Sequence, residues 1–453
     1  MASKRLLCCL VLLSLAFSVS TISSRGIRLE LTHVDARAAL TGADRIRRAA
    51  ERSHRRVNVL LGAPAPSPAT PPLHSDGGGG GATSAATASV HSSTATYLVD
   101  LAIGTPPLAL TAVLDTGSDL IWTQCDAPCR RCFPQPSPLY APARSATYAN
   151  LSCGSALCDH ALPGSTRCSA SKLSCAYYYS YGDGTSTDGV LATETFTFGS
   201  GATTVVYGVA FGCGTDNLGG TDNSSGLVGL GRGPLSLPAQ LGVTRFSYCF
   251  TPFHDTTKSS PLFLGSSATL SPAARSTPFI PSPAAVPRRS SYYYLSLEGI
   301  TVGDTLLPID PAVFRLTASG RGGLIIDSGT TFTALEERAF VVFARAIAAQ
   351  VALPLAAPAG SHMGLSLCFA APEGKGPDAV RVPRVVFHFD GADMELPRET
   401  VVVEDRAAGV ACIGMVSARG MSVLGSMQQQ NMHILYDIEG GVLSFEPANC
   451  GGL

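Results

Sequence analysis

Two short segments place an aspartate ahead of a hydroxyl residue, a glycine and a second hydroxyl residue: Asp115-Thr116-Gly117-Ser118 and Asp327-Ser328-Gly329-Thr330. Hydrolysing an amide without a metal ion or a covalent intermediate needs one group to take a proton from water and another to give one to the carbonyl oxygen. Two carboxyls held roughly 3 Å apart do both, because they resist ionising together and keep one shared proton across the mildly acidic range. That titration belongs to the pair and to neither residue singly. Gly117 and Gly329 allow a tight backbone approach, and the hydroxyls of Thr116, Ser118, Ser328 and Thr330 can donate hydrogen bonds that orient the carboxylates. Either triplet alone is ordinary turn chemistry, an aspartate capping the end of a strand. The weight lies in the pair.

The elements that would position the pair repeat along the chain. Tyr97–Gly104 is echoed by Tyr294–Gly303, and each is followed by an apolar run entering a turn, Ala112–Leu114 and Leu324–Ile326. Leu227-Val-Gly-Leu-Gly and Val423-Leu-Gly then lie at similar distances downstream of the two turns. Two lobes of one plan, each giving one carboxylate, fit this pattern. From Tyr97 onward, short apolar or alternating runs are split by Gly, Pro, Ser and Asn, which predicts strands and turns. Only Leu335–Val351 reads as a helix, with apolar residues at three and four spacing. Charged residues are 14% of the chain, and Gly (47) and Pro (31) are abundant, a turn-rich β composition.

Ahead of Tyr97 the character changes. Residues 1–24 have the basic, apolar and small-residue layout of a secretory signal, and the run Leu6–Val19 is short for a membrane span. Between residues 25 and 60 there are nine arginines and four acids, while the part from Tyr97 onward is net acidic. A stretch rich in Ala, Pro, Ser and Gly separates them, with too little apolar surface to fold alone. We read 25–90 as a propeptide and linker whose arginines cover the acidic body, 91–275 as a first lobe and 276–453 as a second. An unrelated charged helix is the plainer reading of the basic segment. No retention or anchor signal is evident, which predicts a secreted protein of the apoplast or vacuole, without a membrane anchor and monomeric.

Cys8 and Cys9 fall within the signal, leaving an even number of cysteines in an oxidising compartment, so six disulfides are the simplest reading. Cys125-x3-Cys129-x2-Cys132 has metal-ligand character, yet no histidine cluster accompanies it, so no metal and no cofactor are expected. Asn150 and Asn223 begin glycosylation sequons.

The chain from 97 to 450 resembles the pepsin-type aspartic proteases, and specifically their plant nepenthesin-like branch. The resemblance rests on Asp115-Thr-Gly-Ser-Asp-Leu-Ile-Trp122-Thr-Gln-Cys125, Tyr181-Gly-Asp-Gly, Phe211-Gly-Cys213-Gly, Gly231-Arg-Gly-Pro-Leu-Ser-Leu-Pro and Gln428-Gln-Gln-Asn-Met. It implies a mostly β, bilobal pepsin-like fold with the site in the cleft between lobes, and endopeptidase activity at acidic pH on protein or peptide substrates, blocked by pepstatin-like inhibitors. It places Tyr181, Gly182, Asp183 and Gly184 on a flap that closes over substrate, with Trp122 as the hydrogen-bonding and packing neighbour of Tyr181. Ordinary strand packing is the plainer reading of both rings, and the one we adopt for Tyr177–Tyr179. The segment 125–175 corresponds to the branch's cysteine-rich insertion. The family pattern implies the pairs Cys125–Cys129, Cys132–Cys213, Cys153–Cys175, Cys158–Cys168, Cys249–Cys450 and Cys368–Cys412. Two departures stand out: Ser328 where many relatives carry Thr, and Ser426 where the closest pattern has Asn or Asp, a position tied to subsite preference.

Two rival functions draw on parts of the same sequence. Some plant proteins of this fold have lost a catalytic residue and act as binding proteins or glycosidase inhibitors; both aspartates, their hydroxyl neighbours and Tyr181 are retained here. Nucleic-acid binding draws on the basic segment, but the acidic body repels phosphate, so no nucleic-acid partner is expected for the mature form. Neither His-Glu-x-x-His nor Gly-x-Ser-x-Gly occurs.

Overall fold

The strand Ile27–His33 buries every second residue, Ile27, Leu29, Leu31 and His33, the period-two pattern of a strand packed on one face. It lies antiparallel between Tyr97–Ile103 and Ser260–Leu264. The structure, a computed structural model, describes residues 26–37, 40–60 and 97–453, apart from 163, 169–172, 182–183, 200–202, 220–223, 253, 256, 284–288 and 357–362. The expected signal, the linker before Tyr97, the flap residues Gly182 and Asp183 and the sequon at Asn223 lie outside the described residues.

From that first strand an unbroken ladder crosses the molecule. Ser260–Leu264 pairs with Arg245–Cys249, then Met432–Asp437, Val442–Pro447, Arg275–Ile280, Tyr293–Leu295 and finally Leu324–Asp327. Every pairing in this path is antiparallel. It joins two lobes, so the protein has the mostly β, bilobal architecture that the repeat predicts. A stacked aromatic column lines it, with Phe246 on Tyr436 at 4.4 Å and Tyr248 on Phe250 at 4.1 Å, contacts that add stability beyond burial alone.

The internal repeat becomes a matched pair of crossings. Leu108–Asp115 runs parallel to Gly226–Gly229 with Asp115 opposite Gly229. In the second lobe Leu324–Asp327 runs parallel to Ser422–Gly425 with Asp327 opposite Gly425. The downstream glycine motifs are therefore the partners against which the two aspartate strands end. The second-lobe helix is Glu337–Val351, burying Ala339, Phe340, Phe343, Ile347 and Val351. Leu335 and Glu336, predicted to be helical, instead close the strand Thr333–Glu336, because Glu336 caps the helix by accepting from the Arg338 N–H.

A second long helix, Gly42–Leu60, belongs to the arginine-rich segment. Thr41 and Asp44 cap its start, the Asp44 N–H bonding Thr41 Oγ1 at 3.2 Å and the Thr41 hydroxyl bonding Asp44 at 2.6 Å. Its buried face carries Ile46, Ala49, Ala50, Arg52, Ser53, Arg56 and Val57. The apolar members pack with Phe332, Met363, Leu365, Val416 and Met427 of the second lobe.

Four of the six implied disulfide pairings differ in the structure. Cys125 bonds Cys213 and Cys129 bonds Cys132, in place of Cys125–Cys129 and Cys132–Cys213. The strand Trp122–Gln124 runs parallel to Gly212–Gly214, which brings Cys125 and Cys213 to a Cα separation of 5.4 Å. Cys153 bonds Cys168 and Cys158 bonds Cys175, in place of Cys153–Cys175 and Cys158–Cys168. The sulfurs of Cys153, Cys158 and Cys168 lie within 4.8 Å of one another, so the two bridges are side by side and sequence spacing does not distinguish their partners. Cys249–Cys450 and Cys368–Cys412 coincide with the implied pairs.

Candidate active site

Asp115 and Asp327 end their strands fully buried and facing each other across the cleft. Each carboxylate is held by the same two donors from its own turn. Asp115 accepts from the Gly117 N–H at 3.0 Å and the Ser118 hydroxyl at 2.5 Å. Asp327 accepts from the Gly329 N–H at 2.9 Å and the Thr330 hydroxyl at 2.6 Å. The turns then lock to each other: the Thr116 N–H donates to Ser328 Oγ at 3.0 Å, and the Ser328 N–H donates to Thr116 Oγ1 at 2.9 Å. Ser328 spends its own hydroxyl proton on the Leu114 carbonyl at 3.2 Å. Serine in place of threonine leaves this reciprocal grip intact.

The two glycines are dictated by space. A Cβ on Gly117 would lie 2.8 Å from Asp327 Oδ1, and one on Gly329 would lie 2.5 Å from Asp115 Oδ1. Each glycine is thus the clearance through which the opposite carboxylate reaches the shared centre. Burial pushes the Asp115 carboxyl up, the Arg56 guanidinium pulls it back down, and the nearby Asp327 charge raises it again.

Arg56 was not singled out from sequence, and it occupies the middle of the site. Its Nε donates to Asp327 Oδ2 at 2.7 Å, and one terminal nitrogen reaches Asp115 Oδ1 at 2.6 Å and Asp327 Oδ1 at 3.1 Å. Burial alone would lower its pKa, but the two carboxylates more than offset this and hold it raised. The planar guanidinium fork suits this bridging in a way a lysine ammonium does not. A second buried ion pair, Arg52 with Asp35 at 3.0 Å, ties the same helix to the turn after the first strand. The Phe332 N–H donates to Ser53 Oγ at 2.8 Å, fixing the helix beside the second aspartate turn. Arg52 and Arg56 flank the apolar stripe of Ile46, Ala49, Ala50 and Val57 on one helical face, but that spacing does not say whether the arginines meet water or anions, which is why the sequence did not single out Arg56.

Tyr181 is buried, its ring 6.4 Å from Trp122 and 4.9 Å from Tyr179. The Tyr181 and Trp122 rings pack against each other with their planes tilted by 34°; burial pushes the Tyr181 hydroxyl well above its ordinary range, and its interaction with Trp122 offsets this in part. The Tyr181 N–H bonds the Thr185 carbonyl at 2.8 Å and Gly184 takes a φ of +87°, which closes the hairpin between Cys175–Ser180 and Ser186–Phe198. Ser426 is buried beside the second turn, where its N–H bonds the Thr330 carbonyl at 2.7 Å and its hydroxyl has no hydrogen-bond partner among the described residues. Asn150 is exposed in a short strand, where it accepts from the Tyr148 hydroxyl at 2.7 Å.

Comparison with known proteins agrees with this geometry. The family profiles described as "Xylanase inhibitor N-terminal" and "Xylanase inhibitor C-terminal" match residues 97–266 and 292–447. The chain is 41% identical to aspartic proteinase nepenthesin-1 of Nepenthes gracilis over 94% of its length and 91% of that protein's. It is 37% identical to aspartyl protease 37 of Oryza sativa subsp. japonica over 98% of both chains. Among solved structures, soybean basic 7S globulin superposes with a TM-score of 0.61 at 19% identity, over 78% of this chain and 94% of that one, a likeness of fold alone. The chain belongs to the nepenthesin-like plant aspartic proteases and is an aspartic-type endopeptidase.

Proposed function

We propose that the protein is made as a secreted zymogen in which Asp115 and Asp327 activate the water that cuts a peptide bond and Arg56 blocks them until acidification. The observation that carries this reading is the Arg56 side chain bonded to both carboxylates in the place a water would occupy. With Arg56 withdrawn, the pair keeps one proton. The ionised member takes a proton from water as its oxygen attacks the carbonyl carbon, and the protonated member gives its proton to the carbonyl oxygen. Collapse of the tetrahedral intermediate breaks the C–N bond, with a carboxyl proton passing to the leaving nitrogen. Ser118 and Thr330 hold the outer carboxylate oxygens, so the facing oxygens are left for water. Tyr181 and its hairpin close over the bound peptide.

The signal-like N-terminus supports entry into the secretory pathway, with apoplast or vacuole as destination, and the exposed Asn150 is an acceptor for glycosylation. A non-catalytic inhibitor is disfavoured because both carboxylates, their donors and the inter-turn grip are all in place. The test is cleavage of denatured globin by the acid-matured protein across pH, with and without pepstatin, beside Asp115→Asn and Asp327→Asn. Each substitution is expected to abolish cleavage, by about 10⁴-fold or more, as for members of other catalytic units. Activity surviving either one would sink the assignment.

A further inference from the structure

The first aspartate turn carries a second carboxyl that the reaction does not use. Asp119, four positions after Asp115, is buried at 5% exposure and makes no ion pair among the described residues. Its Oδ1 accepts from the Gly233 N–H at 2.8 Å, and its Oδ2 is bonded to the Ser291 hydroxyl. Those partners belong to different lobes. Gly233 lies in the turn following Gly226–Gly229, the strand that supports Asp115, whereas Ser291 leads into Tyr293–Leu295 beside the Asp327 strand. The seam is drawn close around the carboxyl, since a Cβ on Gly231 or Gly233 would collide with the Asp119 oxygens. Two more bonds cross it: the Arg232 N–H to the Ser291 carbonyl at 3.2 Å, and the Tyr293 hydroxyl to the Leu230 carbonyl at 2.9 Å. The matching place in the second turn is Thr331, so the clasp is one-sided.

We propose that Asp119 is a positioning residue for the reaction: a carboxyl clasp between Gly233 and Ser291 that fixes the separation of the two aspartate turns. The titratable groups that interact with it are Tyr179 from the flap hairpin and Tyr293 from the second-lobe strand. Neither is a cation. Burial accordingly raises the Asp119 carboxyl above the usual range, offset in part by Ser291 and the Gly233 N–H. In acid the clasp is neutral and costs little to bury. As pH rises through its elevated value a charge with only two donors forms in the seam. The sign follows: a carboxyl raised in the folded state contributes stability at low pH that is lost as pH rises. The clasp therefore gives the mature enzyme an upper pH limit separate from the dyad's own.

The test uses the full chain matured in acid and measures kcat and KM against pH, together with activity recovered after incubation at neutral pH. Asp119→Asn keeps both contacts and does not ionise; it is expected to move the alkaline limb of kcat and the onset of neutral inactivation upward by about one pH unit. Asp119→Ala and Ser291→Ala are expected to lower kcat about tenfold, the equivalent of one ordinary hydrogen bond in the transition state, with KM nearly unchanged. If Asp119→Ala does not fold, the other two variants carry the test. A wild-type alkaline limb in Asp119→Asn, or a wild-type kcat in Asp119→Ala or Ser291→Ala, would overturn the proposal.

Discussion

At the scale of single residues, the site is a set of donors arranged around two anions, and one guanidinium completes it. Removing one partner of a buried, hydrogen-bonded ion pair costs about 3–5 kcal/mol, because the charge left behind is neither solvated nor paired. Arg56→Gln keeps length and some donors but loses the charge. The precursor is then expected to show cleavage near neutral pH at a level at least about 100-fold above wild type, a figure that follows from about 3 kcal/mol. A fluorogenic peptide assay on unprocessed protein, with cleavage of the chain followed in parallel, reads this directly. A variant as silent as wild type would show that the helix as a whole, and not the guanidinium, closes the site.

At the scale of elements, the N-terminal strand and helix attach to the body by different means. The strand is held by backbone ladders on both sides, the helix by an apolar face and by polar anchors that include Arg52, Ser53, His54 and Arg56. His33 sits where the strand turns toward the helix, its ring edge-on to Tyr97 at 5.5 Å and its Nδ1 accepting from the Asp35 N–H at 3.1 Å. Burial above all, with Arg52 and Arg45, lowers it to about 3 against the raising effect of Asp35. A base depressed on docking contributes stability that is present above its free value of 6.5 and is lost as pH falls from there toward about 3. Acid therefore loosens the segment at His33 as well as at the carboxylates. His33→Gln removes that proton site and is expected to lower the pH of segment release by about one unit, measured by mass spectrometry of the maturing chain. An unchanged release pH would assign the acid response to the dyad and Asp35 alone.

At the scale of the molecule, the two lobes share one antiparallel ladder, and crosslinks reinforce it. Cys249–Cys450 closes a sequence separation of 201 residues and pins the C-terminus to the ladder strand Arg245–Cys249. Long closures of this kind restrict the unfolded chain most, typically by about 2–4 kcal/mol. Peptide mapping without reduction is expected to recover Cys125 joined to Cys213 and Cys129 joined to Cys132. Recovery of a Cys132–Cys213 peptide would show that the insertion closes in the other arrangement.

The sequence alone carried the fold class and the two aspartate turns, because a duplicated strand–turn motif writes its strand period, its glycines and its hydroxyls locally. Gly117, Gly329 and the four hydroxyl residues were legible for the same reason: each serves its own turn or the matching one. Arg56 was not, since its partners lie 59 and 271 residues away and a run of arginines reads the same whether it faces water or carboxylates. The disulfide partners and the Asp119 clasp were hidden likewise, because adjacency of Cys125 to Cys213, or of Asp119 to Ser291, exists only once strands distant in the chain are laid side by side. What the residues can do is local chemistry; which of them meet is decided by the ladder that joins the lobes.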